Sequence, residues 1–506
     1  MCGIFYTNFL PNDKVVNKMF KTLEARGPDA QGLYKKDFLI GHTRLSIIDL
    51  DKRSNQPMSI KGYTVAFNGE IYNYKQLKEE LKNDWKFITN SDTEVIIALY
   101  HKYGVEGWKF LNGMFSFIFY HESRDKIFFL RDPVGIKPLY FHIDSGKIIV
   151  ASKQSTILEC IKTTSLNYRA VNDILAFGYP KLPIYQNIYE FNPGYVYDRK
   201  LNKKKINFII DKNKTFKKAI IERFVNSDRP VGITLSGGID SGYIAYVCSK
   251  ISKTKIHTFT IGFSKNDDDV IAARKVAKLI DSDHHEIIVP KSVYDECLKE
   301  GIDKLESPFD LGSVAMTNLL GKEIAKTNIK VILIGEGADE IQGGYKRYSE
   351  KSGIRTKELW DWYQKRVTKN NIDDRKKVLG DNTFVTVLKD ECQEDNANKI
   401  LYCDFVNELR CYHLKRIDHI ISEFGIEARV PYLDYSIVCN SFKTNFSKKI
   451  NQRGNKLLLR DFAVKDGYPE ELAFRPKLAF KRKDFNAKEH LVKLWQKWLK
   501  EYNLKI

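Results

Sequence analysis

The sequence predicts a two-domain chain, an α+β layered domain with antiparallel sheets followed by an α/β domain built on a parallel sheet. Three observations carry this expectation. Residues 1–197 are crowded with short apolar runs rich in β-branched and aromatic residues, broken by turn signals. From residue 229 onward strands alternate with helices, the pattern of right-handed βαβ units. The 506-residue length corresponds to two to four domains at about 150 residues each.

The elements follow in order. FLIGHTRLSIID (38–49), TVAFNG (64–69), FSFIFY (115–120), KIFFLRD (126–132) and KIIVAS (147–152) read as strands. Between them YKQLKEEL (74–81) and TEVIIALYHKY (93–103) read as helices. Residues 199–214 are lysine-rich and follow Pro193-Gly194, so the domains are expected to be 1–200 and 201–506. In the second domain RPVGITL (229–235) is a strand, SGGIDS (236–241) a turn and GYIAYVCSKI (242–251) a buried helix. IHTFTIGF (256–263), HEIIV (285–289) and VILI (331–334) read as further strands, with a helix at 268–280. Residues from roughly 355 to 506 read as helical with loops and cap this domain.

Composition narrows the function classes. Hydrophobic residues make up 43% and charged residues 29%, ordinary for a soluble globular protein. The eight cysteines form no CxxC pair, which argues against a zinc ribbon, and a reducing compartment fits best. The start MCGIFYTNFL lacks the basic and apolar regions of a signal peptide, and no apolar run approaches a membrane span, so a cytoplasmic protein is expected. The net charge of +19 invites a nucleic-acid reading, but no RNP, zinc-finger or basic-zipper pattern accompanies it. No specific nucleic acid and no membrane are expected as partners.

Two glycine turns carry the chemistry of the second domain. SGGIDS follows a strand and opens a helix, where glycine lets backbone approach an anion and the helix end offers unpaired N–H groups. The Walker pattern GxxxxGK[ST] is absent. IGEGADE (334–340) also follows a strand and supplies Glu336, Asp339 and Glu340. A carboxylate there and Asp240 from the first turn suit Mg²⁺, which takes one or two carboxylates plus phosphate oxygens. In the first domain, if Met1 is removed, Cys2 becomes an N-terminal residue whose own α-amine can act as base for its thiol; by itself a cysteine at position 2 is uninformative, and the motifs that follow carry the case.

SGGIDS resembles the pyrophosphate loop of ATP pyrophosphatases. MCGIF, RGPD (26–29), HTRLSIID (42–49), NGEIYN (68–73), SDTE (91–94) and RDPVGIKPLYF (131–141) together resemble the class II, N-terminal-nucleophile glutamine amidotransferases. Both halves, with IEARVPYLD (426–434) and GNKLLLRD (454–461), make the chain similar to the glutamine-hydrolysing asparagine synthetases. The resemblance implies an N-terminal-nucleophile fold followed by an adenine-nucleotide α-hydrolase-like domain. It implies glutamine, aspartate and ATP as substrates, Mg²⁺ as cofactor, and AMP, pyrophosphate, glutamate and asparagine as products. It leaves a homodimer open.

Carried over residue by residue, the resemblance makes Cys2 the nucleophile and Asn68 and Gly69 the oxyanion hole. Arg44 would bind the glutamine α-carboxylate, Asp92 the α-ammonium, and Glu70 would line the pocket with Leu45, Ser46, Ile47 and Ile48. Ser236, Gly237, Gly238, Asp240 and Ser241 would cradle pyrophosphate, with Leu235, Ile261, Ile334 and Gly335 around the adenosine. Asp240 and Asp339 would hold Mg²⁺, Lys456 would neutralise charge on the α phosphate, and Glu336 would handle the β-aspartyl-adenylate and ammonia. Ala25, Lys153 and Ile334 depart from the family pattern. Residues 306–320 also depart from it where acceptor contacts are expected, so the alternative is the same chemistry on a carboxylate other than aspartate.

Overall fold

A computed structural model describes residues 1–161, 165–307, 313–349 and 396–476. Much of the expected helical cap, at 355–395 and 477–506, and the 308–312 part of the expected acceptor segment lie outside the described residues.

The first half is two six-stranded antiparallel sheets packed face to face. One sheet contains β1 (Gly3–Thr7), β2 (Ala30–Lys35), β3 (Leu39–Arg44), β8 (Tyr140–Asp144), β9 (Lys147–Ala151) and β10 (Ile188–Glu190), in the order β10-β8-β9-β1-β3-β2. The other contains β4 (Met58–Ile60), β5 (Tyr63–Ile71), β6 (Gly113–His121), β7 (Lys126–Arg131), β11 (Tyr195–Asp198) and β12 (Lys203–Lys205), in the order β12-β11-β7-β6-β5-β4. Central strands are buried on both faces, as β1 is along all five residues. The edge strand β2 instead alternates half-buried and exposed residues. Ile4, Tyr6, Ile40, Ala66, Ile118, Phe129 and Val150 fill the space between the sheets.

Helices cover the outer faces. The helix Asp13–Leu23 starts on Asn12, whose side chain accepts the Val15 N–H at 3.0 Å, and packs Val16, Met19, Phe20 and Leu23 under the first sheet. The helices Tyr74–Leu81 and Glu94–Tyr103 lie where periodicity predicts them and cover the second sheet.

The second half holds a parallel sheet of β13 (Val231–Thr234), β14 (His257–Gly262), β15 (Asp283–Ile288), β16 (Val331–Leu333) and β17 (Glu427–Arg429), in the order β15-β14-β13-β16-β17. The order reverses at β13, so the loops after β13 and β16 open side by side at the carboxyl ends, where ligands bind in such sheets.

Three expectations need correction. The strand at 38–49 stops at Arg44, because the Arg44 guanidinium draws the carbonyls of Ile48, Asp49 and Asp51 around itself and turns the chain. The lysine-rich stretch is not purely a linker, since Lys203–Lys205 pairs with β11 as an edge strand. The last strand, β17, falls within IEARVPYLD and carries two buried charges in three residues, so no apolar alternation announces it. No helix among the described residues is long and apolar enough to cross a membrane.

Candidate active sites

The first site forms at the start of β1. Register places Gly3 opposite Thr43, which brings Cys2 alongside the Arg44–Ile48 segment. The Cys2 thiol lies 3.8 Å from the Leu45 carbonyl, to which it donates. Burial pushes the thiol pKa up. The α-amine of Met1 is pushed down to about 5 by burial, with Arg26 and Lys137 acting in the same direction.

Arg44 is 4% exposed, and its terminal nitrogens donate only to the Asp51, Ile48 and Asp49 carbonyls and the Asn55 side chain. Among the described residues no carboxylate lies within ion-pair distance of it. Ser46 is anchored by its N–H on Asp29, 2.7 Å away, which ties RGPD to HTRLSIID. Ile47 and Ile48 pack into the core beneath.

Asn68, Gly69 and Glu70 follow one another on β5. The Asn68 side chain is fully buried, and neither its amide nitrogen nor its oxygen has a hydrogen-bond partner among the described residues. Such a group is costly unless a ligand engages it. Gly69 has φ +145° and abuts the Met114 carbonyl, so a side chain there would both strain the backbone and collide with β6. Asp92 accepts the Ile71 N–H at 2.9 Å, and its carboxyl pKa is raised to about 6 by burial. Burial lowers the Arg44 pKa, opposed by the charges of Cys2, Asp49, Asp29 and Asp92.

The second site forms where β13 and β16 end. Ser236 to Ser241 close a tight loop. The Ser236 N–H donates to the Ser241 hydroxyl at 3.0 Å, and the two hydroxyls lie 3.1 Å apart. Gly237 has φ +68° and presses against the backbone of Ala272 and Ala273. Leu235 donates its N–H to the Phe259 carbonyl at 2.8 Å and accepts from the Thr260 hydroxyl, which sets it beside the end of β14 that carries Ile261. Ile334 donates to the Arg429 carbonyl at 2.9 Å, and Gly335 lies against Asp240 and the Ser241 N–H. The expected nucleotide residues therefore converge.

Asp240, Asp339 and Lys456 form the charged centre. The Lys456 ammonium is 2.6 Å from a carboxylate oxygen of each aspartate, and the lysine side chain is 2% exposed. Lys456 holds φ +54° just before the helix Leu457–Lys465, and the second Asp240 oxygen is buried without a hydrogen-bond partner among the described residues. Gly344 abuts both the Asp339 carboxylate and the Lys456 side chain, so any larger residue there would push them apart. Glu336 stands in the same loop system, 2.7 Å from His413 Nδ1 and 3.4 Å from Arg416. Burial opposes the His413 imidazolium, but Glu336 and Glu408 outweigh it and raise its pKa to about 10.

Sequence reasoning missed a layer of buried charge. Arg429 is fully buried, 2.7 Å from Glu427 and 3.2 Å from Glu70 on β5. Arg26 donates to the Cys2 carbonyl at 3.1 Å and sits 2.9 Å from Asp418. Lys137 lies 3.7 Å from the same Asp418. Asp132 accepts backbone N–H groups of Phe115 and Val134 to Lys137, which folds the RDPVGIK loop and delivers Lys137. Arg26 and Arg429 sat inside motifs already singled out. Asp418, His413 and Arg416 gave no signal. Lys153, a departure from the family pattern, is 2.8 Å from Glu423 and 3.8 Å from Glu306.

Comparison with known proteins gives the family. The model of the glutamine amidotransferase domain matches residues 1–209, and that of asparagine synthase matches residues 213–505. A putative glutamine-hydrolysing asparagine synthetase 2 of Methanocaldococcus jannaschii is 32% identical over 65% of this chain and 72% of its own. Asparagine synthetase B of Escherichia coli is 27% identical over 95% of this chain and 82% of its own. The glutamine-hydrolysing asparagine synthetase 3 of Arabidopsis thaliana is 30% identical over 87% of this chain and 70% of its own. The chain therefore belongs to the glutamine-hydrolysing asparagine synthetases, amidotransferase ligases that join a glutamine amidotransferase domain to an asparagine synthase domain.

Proposed function

We propose that the chain releases ammonia from glutamine at Cys2 and uses it to amidate aspartate, activated by ATP, at the centre around Lys456. The observation that carries this reading is the convergence of Asp240 and Asp339 on one buried ammonium, at the mouth of the SGGIDS loop.

In the first half, removal of Met1 would expose the Cys2 α-amine as the base for its thiol. The thiolate attacks the glutamine side-chain carbon, and Asn68 and the Gly69 N–H take up the oxyanion, which satisfies an amide that is otherwise unpartnered. Arg44 receives the α-carboxylate, and Asp92, ionised, pairs with the α-ammonium. Leu45 to Ile48 and Glu70 wall the pocket. A reducing cytoplasm suits such a nucleophile, and Cys2, Cys160, Cys248, Cys297 and Cys411 are all thiols. The glutaminase unit extends through Lys205, slightly past residue 200, because β12 belongs to its sheet; the synthetase unit begins with the helix Phe216–Val225.

In the second half, Ser236 to Ser241 receive the β and γ phosphates, with Leu235, Ile261, Ile334 and Gly335 around the adenosine. Asp240 and Asp339 fit Mg²⁺: two carboxylates already share one cation, and a buried Asp240 oxygen lacks a partner among the described residues. Bound there, Mg²⁺ supplies charge neutralisation for the phosphate oxygens. Lys456 counters the charge that develops on the α phosphate as the aspartate carboxylate displaces pyrophosphate. Glu336, held by His413 and Arg416, faces the stage at which ammonia displaces AMP. Every relative named above is called an asparagine synthetase, and no observation favours another acceptor.

The test is product analysis with Mg-ATP and glutamine, with and without aspartate. Asparagine, AMP and pyrophosphate formed in equal amounts and only with aspartate are expected. Cys2→Ala should lose glutamine-driven synthesis and keep ammonia-driven synthesis. Glutamate release without aspartate-dependent AMP would refute the acceptor assignment.

A further inference from the structure

We propose that His257, Asp283 and His285 form a binding site for a borderline divalent transition ion, for which zinc is the best fit. The site lies at the edge of the parallel sheet, away from both reaction centres. Strand register assembles it. His257 opens β14 and Asp283 opens β15 as its direct partner, while His285 pairs with Phe259 two residues further on. Side chains two apart on a strand share a face, so all three project to one side of the sheet.

The donor spacing is the decisive observation. His257 Nδ1 is 3.0 Å from Asp283 Oδ2, His285 Nε2 is 3.5 Å from the same oxygen, and the two nitrogens are 3.4 Å apart. Ligands of a tetrahedral ion at about 2.0–2.1 Å stand about 3.3–3.4 Å from one another. All three separations fall close to that edge length. A simple ion pair with Asp283 would need one imidazole; here two converge on the carboxylate and on each other. The rings are held in advance. His285 stacks on Phe259 at 4.7 Å and 13°, and His257 lies over His285 at 23°. The set is reachable from solvent, with side chains 34%, 52% and 36% exposed, which leaves a fourth position for water.

Two imidazoles and one carboxylate select zinc, copper or nickel over Mg²⁺, which prefers oxygen ligands. His257 and Asp283 stand at the amino ends of their strands, whereas Ile261 stands four residues on, about 13 Å along β14. The site is thus separate from the nucleotide loops. β15 is the edge strand of the sheet, and an ion shared with β14 would pin it in register.

The experiment uses the full-length chain after chelator treatment, titrated with Zn²⁺ and, for its spectrum, Co²⁺. One equivalent should bind with the visible bands of a four-coordinate site and without the thiolate charge-transfer band a cysteine site would give. His257→Gln, Asp283→Asn and His285→Gln should each weaken binding by more than about tenfold. His284→Gln should leave it unchanged, since His284 points to the opposite face, 2.8 Å from the Thr258 hydroxyl. Zinc should raise the unfolding midpoint of the wild type and of His284→Gln alone. Equal zinc affinity in the wild type and His285→Gln, or a cobalt spectrum dominated by thiolate, would overturn the proposal.

Discussion

Replacing Asn68 by alanine separates what a residue does for catalysis from what it does for the fold. Asn68 is fully buried on β5 with both polar atoms unpartnered among the described residues, an arrangement that costs about 1–3 kcal/mol in the free protein. Alanine removes that cost and opens a void of about 30–40 Å³, which at about 24 cal/mol per Å³ takes back about 1 kcal/mol. The variant should be as stable as the wild type or up to about 2 kcal/mol more stable. Glutamine hydrolysis should behave in the opposite way. Loss of one oxyanion donor costs about 2.7–4 kcal/mol, or about 10²–10³ in kcat. The assays are glutamate release, ammonia-driven asparagine formation and denaturant unfolding, run on the same preparation. A hundredfold loss of glutaminase with ammonia-driven synthesis intact and an unchanged or higher unfolding midpoint is expected. Glutaminase within threefold of wild type, or a clearly lower midpoint, would refute the oxyanion assignment.

Other perturbations test the remaining assignments. Burial holds the Asp92 carboxyl at about 6, so below that pH it is neutral and cannot pair with an ammonium. The KM for glutamine should therefore rise about tenfold per unit of pH below 6, while ammonia-driven synthesis at constant free NH3 shows no such limb; a flat glutamine KM down to pH 5 would exclude the pairing. Lys456→Ala leaves two aspartates buried without their cation, a loss of about 3–5 kcal/mol. Synthesis should vanish with either nitrogen source while glutaminase persists, and Mg²⁺ should raise the variant's unfolding midpoint more than the wild type's. Asp418→Asn withdraws the anion shared by Arg26 and Lys137, at a similar cost. It should also raise the ratio of glutamate formed to asparagine formed, measured under saturating aspartate and ATP; an unchanged ratio would mean that Asp418 serves the fold alone.

How much was legible in the sequence depended on the kind of signal. Strands such as 64–69 and 115–120 were readable because their apolar runs are short and bounded, and the helices at 74–81 and 94–103 because their periodicity is unbroken. The two loops at the carboxyl ends of β13 and β16 were readable because their glycine and acidic residues break the local apolar pattern directly after a strand. β17 was not, because Glu427 and Arg429 are buried by pairing with each other and with Glu70, a partner more than 350 residues away in sequence. The end of β3 was hidden for a related reason, since the carbonyls that follow it are gathered by an arginine side chain. Cys2 and Lys456 were identified by motif alone; their burial, the raised thiol and the shared ammonium belong to the fold.

That distinction bears on how the halves are joined. The helix Leu414–Ser422 and the π-helical turn before it belong to the synthetase half, yet their side chains face both centres. At one end His413 and Arg416 hold Glu336. Further along, Asp418 binds Arg26 and Lys137, and Ser422 accepts from Arg26 at 2.9 Å, while Arg26 itself grips the Cys2 carbonyl. Nine residues of helix span about 13 Å, so one rigid element carries partners of both sites. The Arg26–Asp418 and Lys137–Asp418 contacts are buried charge pairs whose separation is costly, which makes sliding of one half over the other unfavourable. The Arg429–Glu70 and Lys153–Glu423 pairs add two more such ties across the same boundary. Arg26 thus links the Cys2 carbonyl, through Asp418, to the same helix that holds Glu336 by way of Arg416.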